Sequence, residues 1–104
     1  IDGVRVVNER PEAETSWFGV PTVCEDNNLK RSLVAYLEEN KIQTRNYFAG
    51  NILLHPGYRD LGKASDYPNA NQVLDKVFFL GCSPTINEKM LQYIEKVIGN
   101  YVSN

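Results

Sequence analysis

An α+β fold, a small and mostly antiparallel sheet of three or four strands with helices packed on one face, follows from three features of the 104-residue chain. Two stretches, Leu29 to Leu37 and Met90 to Tyr101, place apolar residues at helical spacing. Short segments rich in β-branched and aromatic residues, Val4 to Val7, Trp17 to Cys24 and Val77 to Cys82, lie before and between them. Proline and glycine keep each element short, and no internal repeat or low-complexity tract extends any of them.

Gly3-Val4-Arg5-Val6-Val7 alternates as a first strand and runs into a polar loop, Asn8 to Ser16, that contains Pro11. Trp17 to Cys24 reads as a second strand, and Pro21, which cannot donate to a ladder, argues for an edge position or a bulge. Asp26, Asn27 or Asn28 caps a helix through Glu39, with Leu29, Leu33, Val34 and Leu37 inward and Lys30, Arg31, Glu38 and Glu39 toward solvent. Ile42 to Phe48 fits another strand or extended segment, closed by Gly50-Asn51, a pair able to take left-handed conformations.

Residues 52 to 68 form a long connection punctuated by Pro56-Gly57, Gly62 and Pro68, and long connections in small domains often carry function. Asn69 with Gln72 resembles a capping box for a short helix through Lys76 that turns Val73 and Leu74 inward. Val77 to Cys82 is a buried strand. Thr85 with Glu88 forms a second capping box, opening a last helix whose apolar stripe is Met90, Leu91, Ile94, Val97, Ile98 and Tyr101. The predicted order is β-β-α-β-loop-α-β-α.

A chain of this length forms a single domain and buries somewhat under about 70% of its unfolded surface, enough for one core. With Lys+Arg 11, Asp+Glu 13 and a net charge of -2 free of long single-sign runs, it presents no electrostatic footprint for nucleic acid or anionic lipid. Its longest apolar runs, such as Val77 to Leu80, are far shorter than the roughly 20 residues that cross a bilayer, and no leader pattern opens the chain. A cytoplasmic location without membrane or nucleic-acid partners is therefore expected. The first residue is Ile rather than Met, as in a fragment of a longer protein.

Cys24 and Cys82 lack the CxxC or Cys/His spacing of a zinc or iron–sulfur site and read as two buried strand thiols. His55 is the single histidine and has no local signature tying it to a serine or cysteine nucleophile, so it reads as an exposed loop residue. Asp60, Asp66 and Asp75 are scattered, and no glycine-rich phosphate loop is encoded. What stands out is the concentration of rings and amides outside regular repeats: Trp17, Phe18, Arg45, Tyr47, Phe48, Asn51, Tyr58 and Tyr67. Such a set suits a sugar or nucleotide wall, but rings at alternating strand positions more often belong to a core.

Ser16-Trp17-Phe18-Gly19-Val20-Pro21, the helix end Tyr36-Leu37-Glu38-Glu39-Asn40-Lys41-Ile42, then Thr44-Arg45 and Phe48-Ala49-Gly50-Asn51 are similar to the C-terminal domain of nucleotide-sugar 3-dehydrases. These belong to the DegT/DnrJ/EryC1/StrS group of fold-type-I pyridoxal phosphate (PLP) enzymes. The likeness runs over residues 14 to 98 and includes His55-Pro56-Gly57-Tyr58, Asn69 to Val73 and Gly81-Cys82-Ser83-Pro84. Within the group it points toward the CDP-4-keto-6-deoxyglucose 3-dehydrases of lipopolysaccharide O-antigen synthesis.

The resemblance implies that residues 1–104 form the C-terminal small domain of a homodimeric enzyme whose N-terminal large domain holds PLP or its pyridoxamine form (PMP). The implied reaction removes the C3 hydroxyl of a nucleotide-linked 4-keto-6-deoxyhexose, the cofactor supplying the electronics and the protein orienting the sugar. No catalytic residue and no metal ligand is expected in this chain. The implied substrate contacts are Phe18, Arg45, Phe48, Asn51 and Gln72. Gln72 stands where relatives carry Arg in an Asn-Thr-Asp-Arg motif, so one positive contact is expected to be missing. The residue that separates a dehydrase (His) from an aminotransferase (Lys), and any iron–sulfur cysteines, would lie outside these residues. A nucleotide-sugar aminotransferase domain, a free-standing α+β interaction module and a small-molecule-binding regulatory domain are the competing readings.

Overall fold

The structure, a computed structural model, describes residues 1–103, with side chains through Val102. Seven regular elements follow the predicted order: β1 (Val4–Val6), β2 (Gly19–Cys24), α1 (Asn27–Glu39), β3 (Thr44–Asn46), α2 (Pro68–Lys76), β4 (Val77–Gly81) and α3 (Glu88–Ser103). Three short 3₁₀ segments, Ile52–Leu54, Pro56–Leu61 and Ala64–Asp66, fill the long connection. The four strands make one antiparallel sheet in the order β1-β2-β4-β3.

Strand side chains alternate between faces, so adjacent Phe78 and Phe79 leave β4 on opposite sides. Phe78, 1% exposed, enters the core with Cys24, Leu33, Leu37, Ile42 and Val97. At about 1.5–3 kcal/mol per fully buried large apolar side chain, this cluster supplies the main drive for closing α1 and α3 over the sheet. The two helices are tied to each other by polar tips: Tyr36 Oη donates to the Val97 carbonyl at 2.7 Å, and Ser32 Oγ meets Tyr101 Oη at 3.1 Å. Tyr93 Oη also donates to the Asn40 carbonyl at 2.7 Å.

Of the three residues expected to cap α1 it is Asp26 that does so, accepting the Leu29 amide hydrogen at 2.8 Å. The helix ends in paired bonds from Lys41 N–H to the Glu38 carbonyl and from Ile42 N–H to the Leu37 carbonyl, with Lys41 left-handed at φ 67°. That turn drops Ile42 into the core beside Leu37. It also brings Glu38 Oε1 to the Thr44 amide (2.7 Å) and hydroxyl (2.8 Å), which fixes the start of β3. These two hydrogen bonds hold the Glu38 carboxyl below the usual carboxylate range.

Several local expectations are corrected. Lys30 is 7% exposed instead of solvated, because its stem lies along the core and its Nζ donates to the Leu74 carbonyl at 2.7 Å. With Asn27 Nδ2 donating to the Asp75 carbonyl at 2.8 Å, it satisfies two C-terminal carbonyls of α2. Neither predicted capping box forms. α2 opens on Pro68, whose missing N–H and fixed φ suit the first turn, and Asn69 and Gln72 therefore lie inside the helix. At α3 it is Asn87 Oδ1 that accepts the Met90 amide at 2.9 Å, while the Thr85 hydroxyl pairs with that of Ser83 at 2.8 Å.

Pro21 lies in an interior strand, not at an edge. It is tolerated there because its N and O face the β1 side, one residue past the end of that strand, where only Val7 N–H reaches the Pro21 carbonyl. Cys82 is exposed just beyond β4, so one thiol, not two, is buried. Met90 and Leu91 are half exposed, and the stripe of α3 that reaches the core is Ile94, Val97, Ile98 and Tyr101. The left-handed residues near the end of β3 are Phe48 and Gly50, while Asn51 is extended.

Lys30→Met keeps most of the buried stem and removes the ammonium, and it is expected to lower stability in urea unfolding by about 1–2 kcal/mol. Asn27→Ala should cost about 1 kcal/mol by the same account, and unchanged midpoints for both would show that the α2 carbonyls do not depend on these donors.

For Glu38, the folded carboxyl titrates below its unfolded value of 4.5, so its stabilising contribution is complete above that pH and is lost as pH falls through the folded value. Amide-exchange protection at Thr44, relative to intrinsic rates, should therefore fall in that acidic window and should be pH-independent there in Glu38→Gln.

Candidate functional site

Directly opposed residues in an antiparallel ladder share a face, so the side of the sheet away from α1 and α3 can be read from the registers. One row across it is Arg5, Val23, Val77, and the next is Pro21, Phe79, Arg45. An apolar strip thus has an arginine on each edge strand. Phe79, 8% exposed, is the floor of this face.

Four other rings gather there from two loops. Trp17 and Phe18 arrive just before β2, and Tyr47 and Phe48 just after β3. The Phe18 and Phe48 rings stack on each other at 6.3 Å and 26°, and each packs on Phe79, at 5.9 Å and 5.8 Å. Tyr47 stands edge-on to both Phe48 (5.4 Å) and Phe79 (6.1 Å). The close approach at β2 requires Gly19, since a Cβ there would lie 2.4 Å from Phe79 Cδ2.

Phe18 and Phe48 nevertheless remain 78% and 68% exposed. Two phenyl rings held on a sheet face and left open to solvent are poor core and good contact surface. Phe48 is also left-handed at φ 55°, a conformation that costs a non-glycine residue about 1–3 kcal/mol and points to function when the surroundings enforce it. Enforcement comes from its amide donating to the Asn46 carbonyl at 2.7 Å and from Gly50, at φ 68°, where a Cβ would meet Leu74 Cβ at 2.6 Å.

Of the five residues singled out in the sequence, Phe18 and Phe48 meet in this wall. Arg45 leaves the open edge of the sheet beside Phe79 and forms no ion pair among the described residues. Gln72 lies across Trp17 and Tyr47, in an adjoining hollow between β1 and α2. Asn51 borders a hollow behind Tyr47 and Phe48 and is itself buried: it is 3% exposed, its Nδ2 donates to Asn71 Oδ1 (2.8 Å) and the Ala64 carbonyl (3.2 Å), and its Oδ1 accepts the Leu53 amide (3.0 Å). These bonds fasten the long connection to α2, and they leave the Asn51 amide without a free donor.

Sequence reasoning missed three residues of this face. Phe79 was hidden in an apolar run whose pleat assigns it away from the core, a signal available from the alternation at Phe78-Phe79. Arg5 sits between two valines and was readable the same way. Lys76, the last residue of α2, borders the face because the chain passes directly from it into Val77 of β4, in the row that carries Arg5. His55 is exposed, with Nε2 3.3 Å from the Ala49 carbonyl, and no cluster of three or more metal-ligating side chains occurs among the described residues. No helix among them is long and apolar enough to cross a membrane.

PLP chemistry needs an amine for a Schiff base, a partner for the pyridine nitrogen and an anion cradle. The residues of this face do not fit that group by themselves. Neither the ring wall nor its adjoining hollow is lined by a carboxylate, and the buried Lys30 amine is bonded to Leu74.

The fold is that of part of a solved aminotransferase. Over 99% of this chain and 27% of the solved aminotransferase TlmJ from Streptoalloteichus hindustanus, the TM-score is 0.83 at 14% identity. The sequence profile of the DegT/DnrJ/EryC1/StrS aminotransferase family matches residues 1–98, and the chain belongs to that family. It is 34% identical over 97 residues to a dTDP-4-dehydro-2,6-dideoxy-D-glucose 3-dehydratase of Saccharopolyspora spinosa, covering 89% of this chain and 21% of the relative. It is 35% identical over 97 residues to the lipopolysaccharide biosynthesis protein RfbH of Salmonella typhimurium, covering 83% of this chain and 22% of that protein. The chain thus spans about a fifth of the length of these curated relatives.

If Phe79 is floor and the outer rings are contact surface, truncation should separate them. Phe79→Ala is expected to cost about 3–5 kcal/mol in denaturant unfolding, whereas Phe18→Ala and Phe48→Ala should each stay within about 1 kcal/mol. Equal losses at all three would make the outer rings part of the core.

Proposed function

We propose that this chain is the C-terminal small domain of a PLP- or PMP-dependent nucleotide-sugar 3-dehydrase, and that it forms the substrate-side wall of the active-site cleft. The enzyme it serves removes the C3 hydroxyl of a nucleotide-linked 4-keto-6-deoxyhexose for lipopolysaccharide sugar synthesis, as a cytoplasmic homodimer. The cofactor is held by the enzyme's own N-terminal large domain.

The observation that carries this reading is the pair of exposed, stacked rings Phe18 and Phe48, held over Phe79 by a left-handed backbone at Phe48. Identity of 34% and 35% to relatives whose names specify a 3-dehydratase and lipopolysaccharide biosynthesis supports the reaction class. In this role Phe18 and Phe48 lie against the apolar face of the deoxysugar and exclude water from it. Arg45 and Gln72 supply polar contacts on either side, and Asn51 positions the loop that presents Phe48. When bound, the cofactor supplies the electron sink, and these residues bind and orient the sugar.

The test uses the full-length protein, with dehydration of a CDP- or dTDP-linked 4-keto-6-deoxyhexose as the readout. Phe18→Ala and Phe48→Ala should each raise KM about tenfold, equivalent to roughly 1.4 kcal/mol of binding. Kinetics identical to the parent in both variants, or the absence of a cofactor-binding domain from the full-length chain, would overturn the proposal.

A further inference from the structure

Beside the ring wall, and sharing Trp17, Pro21 and Tyr47 with it, lies a hollow of different chemistry. Its floor is the Val23–Val77 row of the sheet, and its sides are β1 and α2. Arg5 enters from β1 and Lys76 from the last turn of α2, with the amides of Asn69 and Gln72 along the same helix face at i, i+3 and i+7. No carboxylate lines it, although the chain as a whole has net charge -2. Among the described residues the side chains of Arg5, Lys76, Asn69 and Gln72 make no hydrogen bond or ion pair, so their donors are free.

We infer that this hollow binds a diphosphate, specifically the diphosphate of the nucleotide-linked substrate, with Arg5 and Lys76 as its counter-charges and Trp17 or Tyr47 against a neighbouring ring. The identification of the diphosphate as part of a sugar nucleotide rests on the reading proposed above. Two unpaired cations from separate elements, facing one space with amide donors between them, match an extended dianion better than a single carboxylate. The aromatic rings on the boundary give a flat base a stacking surface. Because the hollow adjoins the Phe18–Phe48 wall across Trp17, Pro21 and Tyr47, one extended ligand spans both, its sugar over the rings and its charge between β1 and α2. This also accounts for Gln72: with Arg5 and Lys76 already present, the hollow does not require a third cation at that helix position.

Titration of this chain with inorganic pyrophosphate, followed by amide and indole NMR signals, tests the site without any catalytic assay. Saturable shifts are expected at Arg5, Gln72, Lys76 and Val77, weakening as salt is raised. CDP should add a shift at the Trp17 indole or Tyr47 ring. The double variant Arg5→Gln with Lys76→Gln should lose affinity by about tenfold or more, while Arg5→Lys, which keeps the charge, should stay within about threefold. No saturable shift, or unchanged affinity in the double variant with an otherwise superimposable spectrum, overturns the inference.

The two proposals fail separately. If pyrophosphate does not bind but Phe18→Ala and Phe48→Ala still raise KM in the full-length protein, the ring wall stands and the diphosphate site falls. If pyrophosphate binds through Arg5 and Lys76 while the ring variants are kinetically silent, the anion site stands and the wall falls.

Discussion

Everything on this domain is organised by the pleat at Phe78-Phe79. β4 is an inner strand, bonded to β2 on one side and β3 on the other, so its two phenylalanines are fixed in place by ladders on both flanks. One ring anchors the core under α1 and α3, and the next, a residue later, floors the opposite face. A one-residue slip of register would exchange them and remove both the core and the ring platform at once. The fold and the candidate site are therefore two sides of one strand.

The second face is built differently from the first. The core side is closed by helices whose apolar stripes match it, whereas the other side is bordered by loops that leave its outer rings in solvent. Those loops are held by backbone devices instead of burial. Gly19 admits Phe79, Gly50 admits Leu74, and Phe48 keeps a left-handed conformation between them. Asn51, fully hydrogen-bonded within the chain, fastens the long connection to α2. Rigid support under exposed rings is what a contact surface needs, since little side-chain or loop entropy is then lost when a ligand arrives.

α2 connects the two faces. Its C-terminal carbonyls are held by Lys30 and Asn27 of α1, on the core side, while Asn69, Gln72 and Lys76 border the basic hollow on the other. The lysine that would be expected in solvent instead sets where the hollow's second cation stands. Charge is thus used in opposite ways by two lysines of neighbouring helices, one closed against carbonyls and one left open.

The sequence by itself determined the element order, the helical periodicity of α1 and α3, a cap for α1 within Asp26 to Asn28 and the family, because each depends on side-chain types at short, fixed separations. It also contained Phe18 and Phe48 as candidates, through their loop positions and their motif. The tertiary structure decided what those separations do not encode. It made β2 an interior strand despite Pro21, because β1 ends one residue too soon to need the missing donor. It placed Lys30 inside, moved the α3 cap to Asn87, buried Asn51 in hydrogen bonds to Asn71 and Ala64, and set Arg5 and Lys76 on one hollow. Each of these turns on which distant carbonyl, ring or strand end lies within a few ångströms, and that proximity is set by how the sheet and helices close around β4, not by any local run of residues.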